Sequence, residues 1–477
     1  MKIPLREDSP KRAFSYFVVN NCFMEDMEKK KTKKTVIIGA GLTGLTAAYF
    51  LAKGGRKCLL LEKEGEEGGM SRSYTLDGVT FDLGPHLFFP NSDFEAERFM
   101  QDLLAGEEVI QRRFRFSIFT QNRHWKFPLS VVDMMLYPWR YKKHFILNFF
   151  QKGKRTGQGN VSAKDDIVTK SGETYYSDVF ASMLERKTLF SGEQLHKDWL
   201  ARIDRDVRNR KEEKKEVSRS GEVSHLGLVK KLFKSFFQHY AYPARGFQVF
   251  SSKILEKYQA LGGEVIFQCG PIQLNRENGK VVSVGIREEE FEVEDVVWTG
   301  SVNGLNKVLG AESPTLHYVK TSLVLLTYQQ KKPVSRPFVY SYYPDEQVLF
   351  NRVYFPTGIY RNVTPAGVEG VCLEVTHDGA VDGMSDDSLI TSVVAGVEEI
   401  GVFERGDLRQ AKVVHLDECM PIYSLEYEAE MSRSFDEIWR YSNLYSVGRL
   451  GGYFFCLSPP AVSQGMKIAR HLLGKYE

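Results

Sequence analysis

An all-apolar run that ends in three spaced glycines, helical apolar spacing directly behind them, and a second all-apolar run closed by a carboxylate together predict an α/β protein with a parallel central sheet. The first run, Val36-Ile37-Ile38, is bounded by glycine, which is how a strand buried on both faces reads. In Gly39-Ala40-Gly41-Leu42-Thr43-Gly44, Gly39 permits a tight turn, Gly41 lets the backbone approach a pyrophosphate, and Gly44 lets the helix pack closely on the strand. Leu42 and Thr43 open the helix, whose N-terminus offers unpaired N–H groups and partial positive charge to phosphates. Cys58-Leu59-Leu60-Leu61 forms the second strand. Glu62, followed by Lys63, falls the ~20 residues past the glycines where a ribose-binding carboxylate belongs. The pattern is that of a Rossmann-type unit, which NAD and FAD share as a seat for their ADP moiety.

With 477 residues the chain has room for two or three domains, and its 42% apolar and 26% charged residues are the composition of an ordinary globular protein. A net charge of +3 from 64 basic and 61 acidic residues argues against nucleic acid as the main partner. Cys22, Cys58, Cys269, Cys372, Cys419 and Cys456 form no CxxC pair and no metal-ligand spacing, so they read as reduced core thiols and no metal is expected. No run reaches the ~18 uncharged apolar residues that span a bilayer, and no small-residue cleavage site follows the apolar residues 14–24, so the expected location is cytoplasmic.

Residues 1–34 end in the charged, aperiodic run from Met27 to Lys34 and are expected to be a disordered leader, with Met24 or Met27 as alternative starts. The Gly/Ser/Lys-rich residues 156–166 and the Arg/Lys/Glu-rich residues 208–223 read as exposed excursions. Helical spacing marks 145–150 and 226–240, whereas 264–294 alternates like strands and hairpins. The basic, aromatic stretch 136–152 reads as a core-packing stripe with solvated lysines, the alternative being peripheral contact with a membrane surface. No repeat of fixed period, Ser/His/Asp ordering or glycosidase carboxylate pair is present.

Directly after the ribose carboxylate, Gly68-Gly69-Met70-Ser71-Arg72 adds a glycine pair and a cation suited to a longer, flavin-bearing ligand. Together with Phe81-Asp82-Leu83-Gly84-Pro85-His86 this resembles the flavin-containing amine oxidase superfamily, and within it the protoporphyrinogen-oxidase-like and UDP-galactopyranose-mutase-like members. The resemblance implies noncovalent FAD, with Gly84, Pro85 and His86 against the isoalloxazine ring. It extends to Tyr242-Pro243-Ala244-Arg245-Gly246, to a strand over 263–272 whose end at Ile272 contacts the adenine, and to a returning strand ending at Thr299. It closes with Asn443 to Gly452, where Gly448 and Arg449 match the flavin-contacting turn. A helix from about Ala461 to Leu473 follows, with Pro459 and Pro460 at its start directing N–H groups at the flavin's carbonyl side. The match is strong over these segments and weak across 96–234 and 311–430. Met420 stands where the mutases have a tyrosine, and Tyr453-Phe454-Phe455 follows Gly452 where bacterial mutases continue with an arginine and tyrosines.

The expected organisation is a discontinuous FAD-binding domain from 35–95, 235–310 and 435–477, with a mixed α+β substrate or cap domain inserted as 96–234 and 311–434. The residues implied to bind FAD are Gly39, Gly41, Leu42, Thr43, Gly44, Glu62, Lys63, Gly69, Met70, Ser71, Arg72, Gly84, Pro85, His86, Ile272, Thr299, Gly448, Arg449 and Ala461. His86 is the first catalytic candidate: beside the ring an imidazole tunes N5 or passes a proton near neutral pH, or else it satisfies backbone groups. Arg352 lies in a segment similar to one in which eukaryotic mutases bind a substrate diphosphate, and is either an anion clamp or a surface ion-pair partner. The expected function is an FAD-dependent oxidoreductase that takes a hydride from a small molecule to flavin N5. The alternatives are a redox-neutral mutase that uses reduced flavin on a nucleotide sugar, and a non-enzymatic flavin-binding protein.

Overall fold

The computed structural model describes residues 33–88, 94–113, 115–120, 123–127, 139, 162–200, 239–312, 316–330, 338–344, 346–359 and 365–474. The first apolar run forms the strand Lys34–Ile38, so Lys34 belongs to the sheet and not to the leader: it pairs with Val293. This strand lies inside a seven-stranded sheet, parallel to Cys58–Leu61 on one side and to Glu289–Trp298 on the other. Glu264–Ile266 and Leu444–Ser446 add parallel strands beyond these, and the hairpin of Ile272–Glu277 with Lys280–Ile286 extends the sheet antiparallel. Every residue of Cys58–Leu61 is buried, as a strand covered on both faces requires. The helix Leu42–Lys53 packs against the helix Ser458–Leu472, whose Gly465 comes within van der Waals range of the Thr43 carbonyl.

A second seven-stranded sheet runs, in spatial order, through Leu408–Pro421, Tyr318–Gln329, Val368–Thr376, Arg352–Tyr354, Tyr340–Tyr342, Phe116–Thr120 and Arg123–Phe127. All its pairs are antiparallel except Tyr340–Tyr342 with Phe116–Thr120. Val368–Thr376 is buried along its whole length. One face, with Val324, Leu373 and Val375, packs against Leu389, Val393 and Val397 of the helix Asp386–Glu399, while Cys372 joins the core of the first sheet.

The structure departs from the sequence reading at four further places. Residues 163–171 are helical, not an exposed excursion, because Ser162 accepts the Asp165 N–H at 3.1 Å and caps the first turn. Tyr240 lies in the strand His239–Pro243, where pairing with Val109–Arg113 wins over helical spacing. The strand expected over 263–272 stops at Ile266, since Gln268 and Gly270 adopt φ of 50° and 78°, and Ile272 opens the hairpin instead. The last helix begins at Ser458, with both prolines in its first turn, and ends at Leu472. The expectations for residues 1–32, 136–152 apart from the exposed Trp139, 208–223 and 226–238 lie outside the described residues, as does Cys22. The five described cysteines are buried and unbridged, and no helix among the described residues is long and apolar enough to cross a membrane.

Candidate functional site

Two of the three glycines are packed and one is open. Gly39 turns the chain at φ 104°, and a Cβ there would overlap Thr299 Oγ1, which donates to the Ile38 carbonyl at 2.9 Å. A Cβ on Gly44 would overlap the Gly39 carbonyl oxygen, so its absence is what lets the helix dock on the strand. At Gly41 the φ of −75° suits any residue, and the nearest atom to an added Cβ is the Gly68 carbonyl oxygen at 4.0 Å. Gly69, at φ 53°, forms the facing wall, its hypothetical Cβ 3.3 Å from Gly41 Cα. The first intrahelical bond is Leu45 N–H to the Gly41 carbonyl at 2.9 Å, and no side chain caps this end, so the amides of Leu42, Thr43 and Gly44 have no helical acceptor. This end of the helix is an anion seat with its dipole behind it.

Glu62 is buried where the second strand ends, its carboxylate oriented by the Ala40 N–H at 2.6 Å and the Glu64 N–H at 2.9 Å. Two carboxylate oxygens offer about four lone-pair sites, so capacity remains for vicinal hydroxyls of a ribose. The Thr43 hydroxyl donates to the Ala461 carbonyl at 3.0 Å and stands against Gly448, itself at φ 92°. That contact pins the C-terminal helix and the 448 turn to the phosphate helix. Ser71 and Arg72 brace the facing loop: Ser71 Oγ donates to the Gly68 carbonyl at 2.7 Å, and Arg72 Nε to the Gly69 carbonyl at 3.1 Å. Met70 is half-buried between them. Next to the ribose carboxylate, the Lys63 side chain is 80% exposed and lies 3.6 Å from Glu64, and Ile272 opens the hairpin just past Cys269, whose N–H donates to the Glu62 carbonyl at 3.0 Å.

From the cradle the chain continues to a second, charged cluster. Asp82, buried, accepts hydrogen bonds from Ser73 Oγ at 2.6 Å, the Phe247 N–H at 3.0 Å and the Tyr242 hydroxyl, and fixes the turn through Gly84 and the half-buried Pro85. Burial raises its pKa to about 6, against the pull of those hydrogen bonds. Gly84, at φ 96°, lies against Glu374: an added Cβ would come 3.1 Å from Glu374 Oε1 and 3.5 Å from Arg352 Nη2. Arg352 Nε donates to Glu374 Oε1 at 2.8 Å, and Lys187 Nζ to Glu374 Oε2 at 2.7 Å. The Arg352 guanidinium also lies over the rings of Tyr340 and Tyr342, at 5.3 and 5.6 Å from their centroids. Burial alone would raise the Glu374 pKa, but Arg352 and then Lys187 bring it down to about 2.

His86 shares a hydrogen bond between Nδ1 and the Gly84 carbonyl at 3.0 Å, and its ring lies 5.1 Å from that of Phe247. Burial, and after it the Arg449 charge, lowers its pKa to about 4, so the imidazole is neutral at neutral pH, where a proton-passing role would need it to titrate. A base whose folded pKa lies below its ordinary 6.5 costs stability as pH falls between the two values, because the unfolded chain then binds the extra proton. We expect the His86 resonance in an NMR titration to move near pH 4 and to stay still between pH 6 and 8; a midpoint near 6.5 would refute the half-buried, cation-flanked placement. Arg449 lies over Phe455 at 5.0 Å and reaches the Cys456 carbonyl at 3.5 Å, while its buried Nε has no hydrogen-bond partner. Arg352, Lys187 and Arg449 therefore outnumber Glu374 and Asp82, and the cluster holds uncompensated positive charge. Lys187, Glu374 and Asp82 were not singled out from the sequence. Glu374 had a signal, as one carboxylate inside the otherwise apolar run Val371 to Val375.

Residues 37–103 match the family of NAD(P)-binding Rossmann-like domains. Over the same kind of short segment the chain is 43% identical to the 4,4'-diapolycopene oxygenase of Methylomonas sp over 70 residues, 15% of this chain and 14% of that protein. It is 37% identical to the human all-trans-retinol 13,14-reductase over 74 residues, 16% of this chain and 12% of that protein. These relatives are thus matched over under a fifth of their length. Solved structures extend the likeness to the whole chain. A reduced UDP-galactopyranose mutase superposes with a TM-score of 0.72 at 18% identity, covering 93% of this chain and 94% of that one. A putative protoporphyrinogen oxidase from Exiguobacterium sp. 255-15 gives 0.72 at 16%, covering 93% and 99%, and putrescine oxidase bound to putrescine gives 0.57 at 15%, again covering 93% and 99%. The chain shares its overall fold with these three solved proteins. Within that fold, the Rossmann-like segment contains Gly39, Gly41, Gly44, Glu62, Gly69 and His86.

Proposed function

We propose that this protein is an FAD-dependent oxidoreductase that takes a hydride from a small molecule. The observation that carries the reading is the open space beside Gly41, walled by Gly69 and bounded by unpaired helix amides and the braced Glu62 carboxylate, on a chain that runs on to a cluster with excess positive charge at Gly84. The residues fit the group. Amides of Leu42, Thr43 and Gly44 would take the phosphates, Glu62 the ribose, and the orphaned Arg449 Nε a ring carbonyl. When bound, FAD supplies the hydride-accepting N5, and electrons leave to oxygen or another acceptor. The protein's own part is electrostatic: Arg352, Lys187 and Arg449 favour negative charge at the reacting end, and neutral His86 offers a lone pair or an N–H without adding charge. The discontinuous nucleotide domain and the inserted cap belong to the same proposal.

The decisive test is the purified full-length protein. It is expected to be yellow and to release about one FAD per chain on denaturation, identified by mass, and the bound flavin is expected to bleach anaerobically with one of a panel of small metabolites. Release of no flavin would overturn the proposal. A second reading, the redox-neutral mutase, is favoured by Arg352 lying between Tyr340 and Tyr342, as its anion clamp. Conversion of UDP-galactopyranose by the dithionite-reduced protein would select it over the oxidoreductase.

A further inference from the structure

On the far face of the second sheet from Glu374, four side chains converge through one hydroxyl. Ser322 Oγ, wholly buried, lies 2.6 Å from His377 Nε2 and 2.6 Å from His415 Nδ1. The other ring nitrogens face carboxylates: His377 Nδ1 is 2.9 Å from Asp382 Oδ1, and His415 Nε2 is 2.9 Å from Asp386 Oδ1. Ser322 and His415 sit side by side on paired strands, His377 follows Val368–Thr376, and Asp386 opens the helix Asp386–Glu399. The chain of contacts therefore ties that helix start and its preceding turn to the sheet.

Counting hydrogens gives the consequence. The four contacts from Asp382 through His377, Ser322 and His415 to Asp386 need one proton each. Two neutral imidazoles and one hydroxyl supply three. An ionised carboxylate only accepts, so both outer nitrogens must carry N–H. The serine can donate to one inner nitrogen only, and the other must then be protonated and donate to the serine oxygen. Without that proton, two lone pairs would face each other at 2.6 Å. The neighbouring charges are consistent with it: Lys320 reaches Asp382 at 3.2 Å, Asp378 is engaged by the Ala380 and Val381 amides, and Asp387 lies in the first helical turn beside Asp386. The His377 side chain and Lys320 hold Asp382 below the usual carboxylate range, as an acceptor.

We infer that Ser322, His377 and His415 form a latch closed by one shared extra proton, which fastens the start of the helix Asp386–Glu399 to the sheet and opens when that proton leaves. His415 and Asp386 are the solvent-facing side, 45% and 57% exposed, through which the proton exchanges. The test is 15N-histidine NMR on the full-length protein at neutral pH, each ring assigned by its own histidine-to-glutamine variant. The rings of His377 and His415 are expected to carry three N–H protons between them in the wild type and two in Ser322→Ala. Two neutral rings in the wild type, or three protons retained in Ser322→Ala, would overturn the latch. Should Ser322→Ala not fold, His415→Asn serves instead: the serine proton then suffices and His377 is expected to carry a single N–H proton, whereas a doubly protonated His377 counts against the inference. Amide exchange in the first turn of the helix is expected to be about tenfold faster in the variant that has lost the latch, as the loss of one charge-assisted hydrogen bond implies. Unchanged exchange would show that no latch exists.

Discussion

Alanine at Gly41 is expected to leave the protein folded and weaken its hold on its dinucleotide, while alanine at Gly44 unsettles the fold itself. The two positions lie three residues apart in one motif and differ only in what a methyl group would meet. At Gly41 the backbone is in a region open to any residue and the nearest atom to the new carbon is 4.0 Å away, so stability should move by no more than about 0.5 kcal/mol. The methyl instead enters the space in which the phosphates must approach the helix amides. Losing one charge-assisted hydrogen bond there costs roughly 1.5–3 kcal/mol, which is about ten- to a hundredfold in affinity. At Gly44 the new carbon overlaps the Gly39 carbonyl, and because backbone cannot rotate away as a side chain does, helix and strand must separate. Overpacking of this kind costs at least about 1–3 kcal/mol. Thermal unfolding followed with and without added FAD separates the cases: Gly41→Ala should match the wild type without FAD and gain less from added FAD, by about 1.5–3 kcal/mol, and Gly44→Ala should unfold earlier in both conditions. A Gly41→Ala protein that binds FAD as the wild type does would mean that the cradle is not where the phosphates sit.

That contrast also explains which parts of the molecule were legible in the sequence. The phosphate loop is a local object: turn, close approach and helix packing each demand glycine at a fixed spacing, so Gly39, Gly41, Gly44 and Glu62 declare themselves within one stretch of chain. The two strands that flank it read well for the same reason, since buried parallel strands are short and mostly apolar. Thr43 shows the limit. Its hydroxyl meets the Ala461 carbonyl 418 residues away, a contact that only the finished packing of two helices defines. The charged cluster is less legible still, because Lys187, Arg352 and Glu374 come from three segments brought together by the pairing of Arg352–Tyr354 with Val368–Thr376. Arg352 was visible through resemblance, but whether it clamps an anion or pairs with a carboxylate was a question of register. The register places Glu374 directly opposite it.

Glu374→Gln is expected to be the most destabilising single change in the second sheet. The carboxylate is the one negative charge between Arg352 and Lys187, and it is only 4% exposed. Replacing it with an amide keeps the shape and removes the charge, so two cations, only 18% and 8% exposed, are left facing a neutral group. Breaking a buried pair in this way costs about 3–5 kcal/mol, which is large against the marginal stability of a folded protein. Lys187→Met should cost less, because Arg352 and Glu374 remain as a neutral pair. The same carboxylate sets an acid limit. Its pKa, held down to about 2 in the folded protein, lies below the ordinary value of 4.5. A depressed carboxylate contributes stability that is fully present above its unfolded pKa and is lost as pH falls through the folded one, so that contribution should fade between about pH 4.5 and pH 2. Urea denaturation at neutral pH and along an acid series measures both effects. If Glu374→Gln unfolds within about 1 kcal/mol of the wild type, or if the acid-dependent loss over that window is unchanged in the variant, the cluster is hydrated and Arg352 is free to act without its carboxylate partner.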